Sequence, residues 1–262
     1  MKKIFTLISV LSISTASLMA QSDTASSAAN WKATPNPGFE HWTASSSYNN
    51  PNGWNTANSQ TSLLGYISVA EATGANAYSG TYAVQLTTNN VVGNMAPGII
   101  TTGTIPTSIS GSITGGIAYT LRPDSIVGWF KYTPKGTDNC FAALYLFGSA
   151  ANNADTVAEA SFSTTAGATV SKYTRFSAPL KYKNSDAVAN SIWLVSSSNG
   201  GTSSTSGSVM YVDDLAIVIN STVGVATVTN PALAIAVSPN PASNHVMVTN
   251  NYLKQSSVRN PG

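Results

Sequence analysis

The chain has 262 residues with 12 Lys+Arg, 10 Asp+Glu and 2 His, and charged residues make up only 8% of it, against about 25% in an average soluble domain. That balance excludes bulk-charge attraction to nucleic acid or to an anionic membrane. Hydrophobic residues at 42% exclude a wholly disordered chain, and Cys140, the single cysteine, excludes an intrachain disulfide framework.

Lys2-Lys3, an apolar run from Ile4 to about Leu18 and small residues up to Ala20 form the pattern of a secretory signal peptide over 1–20. The run is too short and too rich in Ser and Thr for a good membrane span. Its removal takes Lys2 and Lys3 and leaves ten basic against ten acidic residues. The predicted location is therefore outside the cell. Residues 21–30 read as a flexible mature N-terminus.

No segment keeps a helical period over three turns, whereas strand signals recur between Gly, Pro, Asn and Ser turns. Strands are predicted at Leu63–Glu71, Tyr82–Thr87, Ile117–Leu121, Ser125–Tyr132, Phe141–Phe147, Val157–Phe162, Tyr173–Leu180, Ser191–Ser196 and Ser208–Ile219. In Ser125–Tyr132, Ile126, Phe130 and Tyr132 fall on one face and Val127, Trp129 and Lys131 on the other. The pattern predicts an all-β fold over 31–219, a two-sheet antiparallel β-sandwich of jelly-roll type. Residues 220–233 read as a linker. Residues 234–262 read as a second small β unit, opening on the Pro239-Asn240-Pro241 turn and the strand-like Val246–Thr249.

Asn36–Trp42, with Glu40 among aromatics, is answered near the end by Tyr211–Leu215, with the pair Asp213-Asp214. First and last strands are expected to close the domain there, bringing three carboxylates together where a hard cation would sit. Arg122 and Asp124 flank Pro123, and Arg122 is expected to pair with Asp124 or Asp138 in an architectural role. Cys140 sits beside the apolar run Phe141–Phe147 and reads as a small core residue. Among the flat aromatics, Tyr48 in the polar loop Ser45–Asn52 is the best exposed. Trp129 and Trp193 are the other candidates to meet a sugar, although Trp193, like Trp42, also reads as core or edge. Trp54, after a Gly turn, reads as core.

Catalysis finds little support. Two histidines, His41 and His245, supply a Ser-His-Asp arrangement poorly, and no zinc spacing or phosphate loop is present. Glu71, Glu159, Asp155 and Asp186 are available for acid–base work by count, yet nothing in their spacing pairs them.

Several motifs carry a resemblance. NPGFEHW at Asn36–Trp42, PNGWNTAN at Pro51–Asn58, YSGTYAVQL at Tyr78–Leu86 and RPDSIVGWFKYTP at Arg122–Pro134, followed by Asp138 and YVDDL, resemble the carbohydrate metabolism domain (PCMD) family of secreted Bacteroidota proteins. Their order looks more distantly like galactose-binding-like jelly rolls used as carbohydrate-binding modules. That resemblance implies a structural Ca²⁺ held by Glu40, Asp213, Asp214 and the Ser79 loop. Pro239–Asn244 resembles the opening turn of the C-terminal sorting domain of type IX secretion substrates, with Asn244 where Asp is usual. It implies the type IX secretion machinery as a partner and a secreted or outer-membrane-surface location in a Gram-negative bacterium. The function so implied is a secreted, non-catalytic, glycan-associated sandwich. The alternatives are a surface adhesive or structural protein and, behind it, a glycoside hydrolase.

Overall fold

Period-two patterning drives most of the main domain. In this computed structural model, residues 34–106, 112–149, 153–200 and 204–219 are described in full, and 235–238 and 247–250 as backbone. The chain divides into two compact units, Met1–Asn220 and Ser221–Gly262. The predicted signal peptide, mature N-terminus, linker and Pro239–Asn244 turn lie outside the described residues.

In the first unit, β1 (Trp42–Ala44) and β2 (Asn49–Pro51) form a hairpin, its turn closed where Ser45 N–H donates to Tyr48 O at 2.8 Å. After β3 (Asn55–Thr56) come one helical turn (Asn58–Thr61) and a 3₁₀ turn (Ser62–Leu64). Next are β4 (Val69–Thr73), a 3₁₀ turn (Gly74–Asn76) and β5 (Tyr82–Thr87). Short strands follow: β6 (Asn89–Val91), β7 (Asn94–Ala96), β8 (Ile99–Thr101), β9 (Gly103–Thr104), β10 (Thr114–Gly115) and β11 (Ile117–Ala118). The long strands are β12 (Ser125–Thr133), β13 (Phe141–Phe147), β14 (Thr156–Ser163) and β15 (Val170–Pro179). The two-residue β16 (Lys181–Tyr182), then β17 (Asn190–Ser196) and β18 (Val209–Val218), complete the unit.

Two antiparallel sheets result, one in the order β15-β12-β18-β5-β4 and one in the order β16-β14-β13-β17-β8-β3, with β11 also on β17. The chain passes from β5 in the first sheet to β8 in the second, then to β12, β13, β15, β17 and β18, changing sheet at each of these steps. This is the two-sheet jelly-roll arrangement. Between the sheets lies one core, to which the first contributes Leu86, Ile126, Tyr132 and Met210 and the second Ile100, Leu144, Val157 and Trp193. Strand β12 buries Ile126, Gly128, Phe130 and Tyr132 and leaves Val127, Trp129 and Lys131 partly exposed, as its alternation predicts. Cys140 is fully buried, and burial pushes its thiol up to about 12.

Two strand predictions contract. Leu63–Glu71 is not one strand: Gly65, at φ 82°, caps the 3₁₀ turn, Leu63 is 84% exposed, and pairing starts only at Val69. Left-handed geometry at Gly65 ends the local run before any sheet partner is reached. Ile117–Leu121 reduces to Ile117–Ala118, which pairs with Ser191 and Asn190. In the second unit, β19 (Ile235–Ser238) and β20 (Met247–Asn250) pair antiparallel, Ile235 with Asn250. The expected strand there begins one residue later than predicted.

Gly128 tests the core's tightness. A Cβ there would lie 2.6 Å from Leu215 Cδ2 and 2.8 Å from the Phe176 ring. Gly128→Ala is expected to cost about 1–3 kcal/mol through overpacking, read as a lower urea midpoint at unchanged slope. An unchanged midpoint would show that the two sheets yield there without strain.

Candidate functional site

The last strand carries an irregularity that organises one end of the sandwich. Val127 pairs with Ala216 and Trp129 with Asp213, so Asp214 and Leu215 together face Gly128. This is a β-bulge, with Asp214 at φ 48°, a conformation that Asp tolerates better than most residues. The bulge turns Leu215 N–H onto Pro37 O at 3.0 Å, tying the last strand to the N-terminal segment. Phe39, fully buried at φ 53°, anchors that segment.

Carboxylates complete the closure. Asp213 Oδ2 accepts the Tyr78 and Ser79 N–H groups at 3.0 and 3.1 Å, and its Oδ1 accepts Asp214 N–H at 2.8 Å. Asp214 Oδ1 accepts the Ser79 hydroxyl at 3.1 Å. Glu40 Oε1 accepts Thr81 and Tyr82 N–H groups at 3.0 and 3.1 Å, and Oε2 also accepts Thr81 N–H. At Gly80, φ 59°, a Cβ would run into Glu40 Oε1, so the loop can approach the carboxylate only as glycine. Burial pushes the Asp213 carboxyl up to about 6, the Asp214 charge adds to this, and the backbone donors oppose it. Asp214 is also raised, first by burial and then by the Glu40 charge.

Glu40, Ser79, Asp213 and Asp214 are thus brought together as the sequence predicts. They close the domain with hydrogen bonds: every oxygen of Glu40 and Asp213 accepts an N–H. Among the described residues no group of three or more His, Cys, Asp or Glu is arranged to hold a metal. Calcium needs six to eight oxygens, so an ion here would have to share these carboxylates with the backbone donors of the Tyr78–Tyr82 loop.

Beside this closure, three adjoining depressions ring the β1–β2 hairpin. The first, about 340 Å³, is lined by Glu40, His41, Trp42, Asn52, Glu71 and Tyr82. The second, about 560 Å³, runs from the Ser45–Asn49 turn to Ile67 and Val69–Glu71, and shares Glu71 with the first. The third, about 320 Å³, lies on the hairpin's other side and shares Tyr48 with the second and Asn52 with the first. Trp42 is held by its Nε1–H donating to Phe39 O at 2.6 Å. Asn49 Nδ2 donates to Glu71 Oε1 at 2.9 Å, while Glu71 Oε2 has no hydrogen bond among the described residues. Tyr48 sits in this groove but is only partly exposed, and the expectation that it is the best exposed ring is corrected: Tyr78, 40% accessible, is more open.

The other aromatic candidates lie elsewhere. Trp193 is corrected: it is fully buried, its Nε1–H donates to Thr34 Oγ1 at 3.0 Å, and no ring face is left for a ligand. Trp54 is a core residue, packed between Phe39 and Trp193 with Nε1–H on Pro35 O. Trp129 lies on the outer face of the first sheet, but Tyr78 stacks on it at 4.1 Å and 15°. Lys131 beside it lies over the Tyr173 and Tyr211 rings and donates to Ala75 O and Asn76 Oδ1, pinning the Gly74–Asn76 turn.

For Arg122, one of the two expected partners is corrected. Its guanidinium donates to the Asp186 and Asn184 carbonyls at 2.7 and 2.9 Å and lies 4.1 Å over the Tyr182 ring. Asp138 is not its partner. That buried carboxylate accepts from Ser198 Oγ at 2.6 Å, Asn139 N–H and Thr205 N–H, fixing the loop after β17. Asp124 is exposed, and its backbone joins β12 to its neighbours through Val218 O and Leu180 N–H.

Glu71, Trp42, Asn52 and Tyr82 were not predicted as a ligand set. One signal was available: between Trp42 and Leu121 the sequence has a single formally charged residue, Glu71.

No protein-family model matches the chain, and no curated protein matches it. Among solved structures it is similar to TmCBM61 in complex with beta-1,4-galactotriose, at 9% identity and TM-score 0.33, covering 71% of this chain and 94% of that one. It is also similar to a non-crystalline cellulose specific carbohydrate-binding module, CBM28, at 11% identity and TM-score 0.39, with coverages of 70% and 92%. A third is the K1 cleaved adhesin domain of Lys-gingipain from Porphyromonas gingivalis W83, at 14% identity and TM-score 0.35, with coverages of 70% and 96%. These likenesses carry no functional argument.

The acid closure predicts a pH dependence. Asp213 has a folded value of about 6 against about 3.9 unfolded, so the folded state binds more protons between the two. Stability therefore rises as pH falls through 6 toward 4, and Asp214 acts in the same direction. In EDTA, Tm is expected to be higher at pH 5 than at pH 7.5, and Asp213→Asn should flatten most of that slope. A Tm that drops on this acidification would contradict the assignment.

Proposed function

We propose that the protein is a secreted or cell-surface glycan-binding module that acts without catalysis, and that the groove around the β1–β2 hairpin is its binding site. The observation that carries this reading is the composition of the groove: the rings of Tyr48 and Trp42 beside Glu71, Asn49 and Asn52. Sugars present apolar C–H faces, which pack on flat aromatics, and hydroxyls, which need fixed carboxylate and amide partners. Export is supported by the signal-peptide pattern of residues 1–20. The Pro239–Asn244 turn supports the type IX secretion machinery as an export partner.

Two further readings each have an observation in their favour. Exposed Leu63 and Val92, 84% and 74% accessible, favour adhesion to a protein surface. Glu40 and Glu71 line one depression, and a glycoside hydrolase needs two carboxylates across a cleft. Glu40, however, is committed to the Thr81 and Tyr82 N–H groups.

A glycan array followed by calorimetry separates these. Binding to at least one polysaccharide is expected, and Tyr48→Ala should weaken it about tenfold or more, roughly 1.4 kcal/mol, with Tm unchanged. Silence across plant, algal and host glycans would favour adhesion. Release of reducing ends, abolished by Glu71→Gln, would favour hydrolysis.

Calcium at Glu40, Ser79, Asp213 and Asp214 is a separate proposal, supported by the pairwise repulsion of Asp213 with Asp214 and of Asp214 with Glu40, which a cation would relieve. EDTA is then expected to lower Tm at pH 7.5 and Ca²⁺ to restore it. No shift, with no metal by elemental analysis, would reject it.

A further inference from the structure

We infer that the groove around the β1–β2 hairpin takes an extended stretch of an uncharged polysaccharide and discriminates against uronate and sulfated chains. This rests on the glycan-binding reading and adds the class of glycan.

Charge is the first argument. Anionic sugars are held in proteins by Arg and Lys, whose N–H groups pair with carboxylate or sulfate oxygens. No Lys or Arg lines any of the three depressions. The formally charged groups facing the groove are the carboxylates Glu40 and Glu71, with His41 as the one imidazole. A uronate at half-buried Glu71 would place like charges together at the protein surface, where repulsion exceeds its value in bulk water. The strand bearing Glu71, its neighbour β5 and the hairpin belong to the stretch Trp42–Leu121, which holds no other formally charged residue. No distant cation on these elements reverses the local sign.

Shape is the second argument. Glu71 lines both of the first two depressions, so they adjoin along the edge strand β4, with Trp42 and Tyr82 in the first and Tyr48 and Ile67 in the second. A terminal-sugar pocket is one enclosed cavity, whereas here a third depression adjoins the second at Tyr48, so that depressions follow one another around the hairpin turn. Glu71 stands at the junction with Oε1 held by Asn49. Its Oε2 is placed to accept a sugar hydroxyl in mid-chain, while Asn52 offers an amide to the same chain.

The test is calorimetry of the protein with neutral polysaccharides (β-glucan, xylan, galactan, mannan), uronates (polygalacturonate, alginate) and sulfated chains (heparin, carrageenan). Binding is measured in low and high NaCl, and any neutral ligand found is also tried as a mono- to hexasaccharide series. At least one neutral polysaccharide is expected to bind tenfold or more tighter than every anionic one, with no salt dependence. Affinity should rise with length up to at least the trisaccharide. Glu71→Gln is expected to weaken neutral binding at unchanged Tm, which a purely structural role would not do. Tighter binding to a uronate or sulfated chain, lost in high salt, overturns this inference and leaves glycan binding standing. Equal affinity for mono- and hexasaccharide overturns the extended-chain part. No binding to any member overturns both readings.

Discussion

The structure depends on a buried carboxylate that must find donors. Asp213 is fully buried on the central strand β18, and a buried polar group without partners costs roughly 1–3 kcal/mol, more when charged. Its three donors come from Tyr78, Ser79 and Asp214. The first two belong to the loop that Glu40 also receives, through Thr81 and Tyr82. One loop is therefore gripped from both ends of the domain. The bulge at Asp214 lets this happen, because it frees Leu215 N–H for Pro37 instead of β12. Strand β1 begins two residues after Glu40, so the same closure sets the hairpin against the edge strand β4. The position of the groove is a consequence of the closure.

Charge is distributed to match. The acids of the closure and the basic residues of the second half leave Trp42–Leu121 almost uncharged, with Ser, Thr, Asn and Gly meeting solvent. Edge strands usually carry charges that discourage pairing with other chains. On β4 that role falls to Glu71 alone, with the hairpin covering the neighbouring surface. A residue that protects an edge is thereby available as a hydrogen-bond acceptor in a groove.

The sequence made the sheets legible wherever inner and outer faces differ. Ser125–Thr133 alternates because one side meets the core and the other meets solvent, and the edges of Tyr82–Thr87 and Phe141–Phe147 were read without error. The closure was legible too, since aspartates and a lone glutamate beside buried aromatics need partners. The hairpin at Trp42–Pro51 was missed because its strands are short, polar and half-exposed, and carry no period to read. Trp193 was given a ligand role because two of the neighbours that enclose it, Trp54 and Thr34, come from more than a hundred residues earlier in the chain. The Arg122 partners escaped because its acceptors are carbonyls, which any sequence supplies and none marks.

The two aromatic surfaces differ in a way that decides between them. A ring that binds sugar must keep one face open before the ligand arrives. Trp129 shares its face with Tyr78, and Tyr78 also meets Tyr173, whose hydroxyl donates to Asn76 O at 2.6 Å. That cluster is spent on holding the Gly74–Asn76 turn, and with it the start of the loop that Asp213 and Glu40 grip. Tyr48 has no such ring neighbour among the described residues and borders two depressions at once. The outer-face aromatics therefore serve the closure, whereas at the hairpin polar groups and an unstacked ring occur together, and the proposed glycan site rests on that difference.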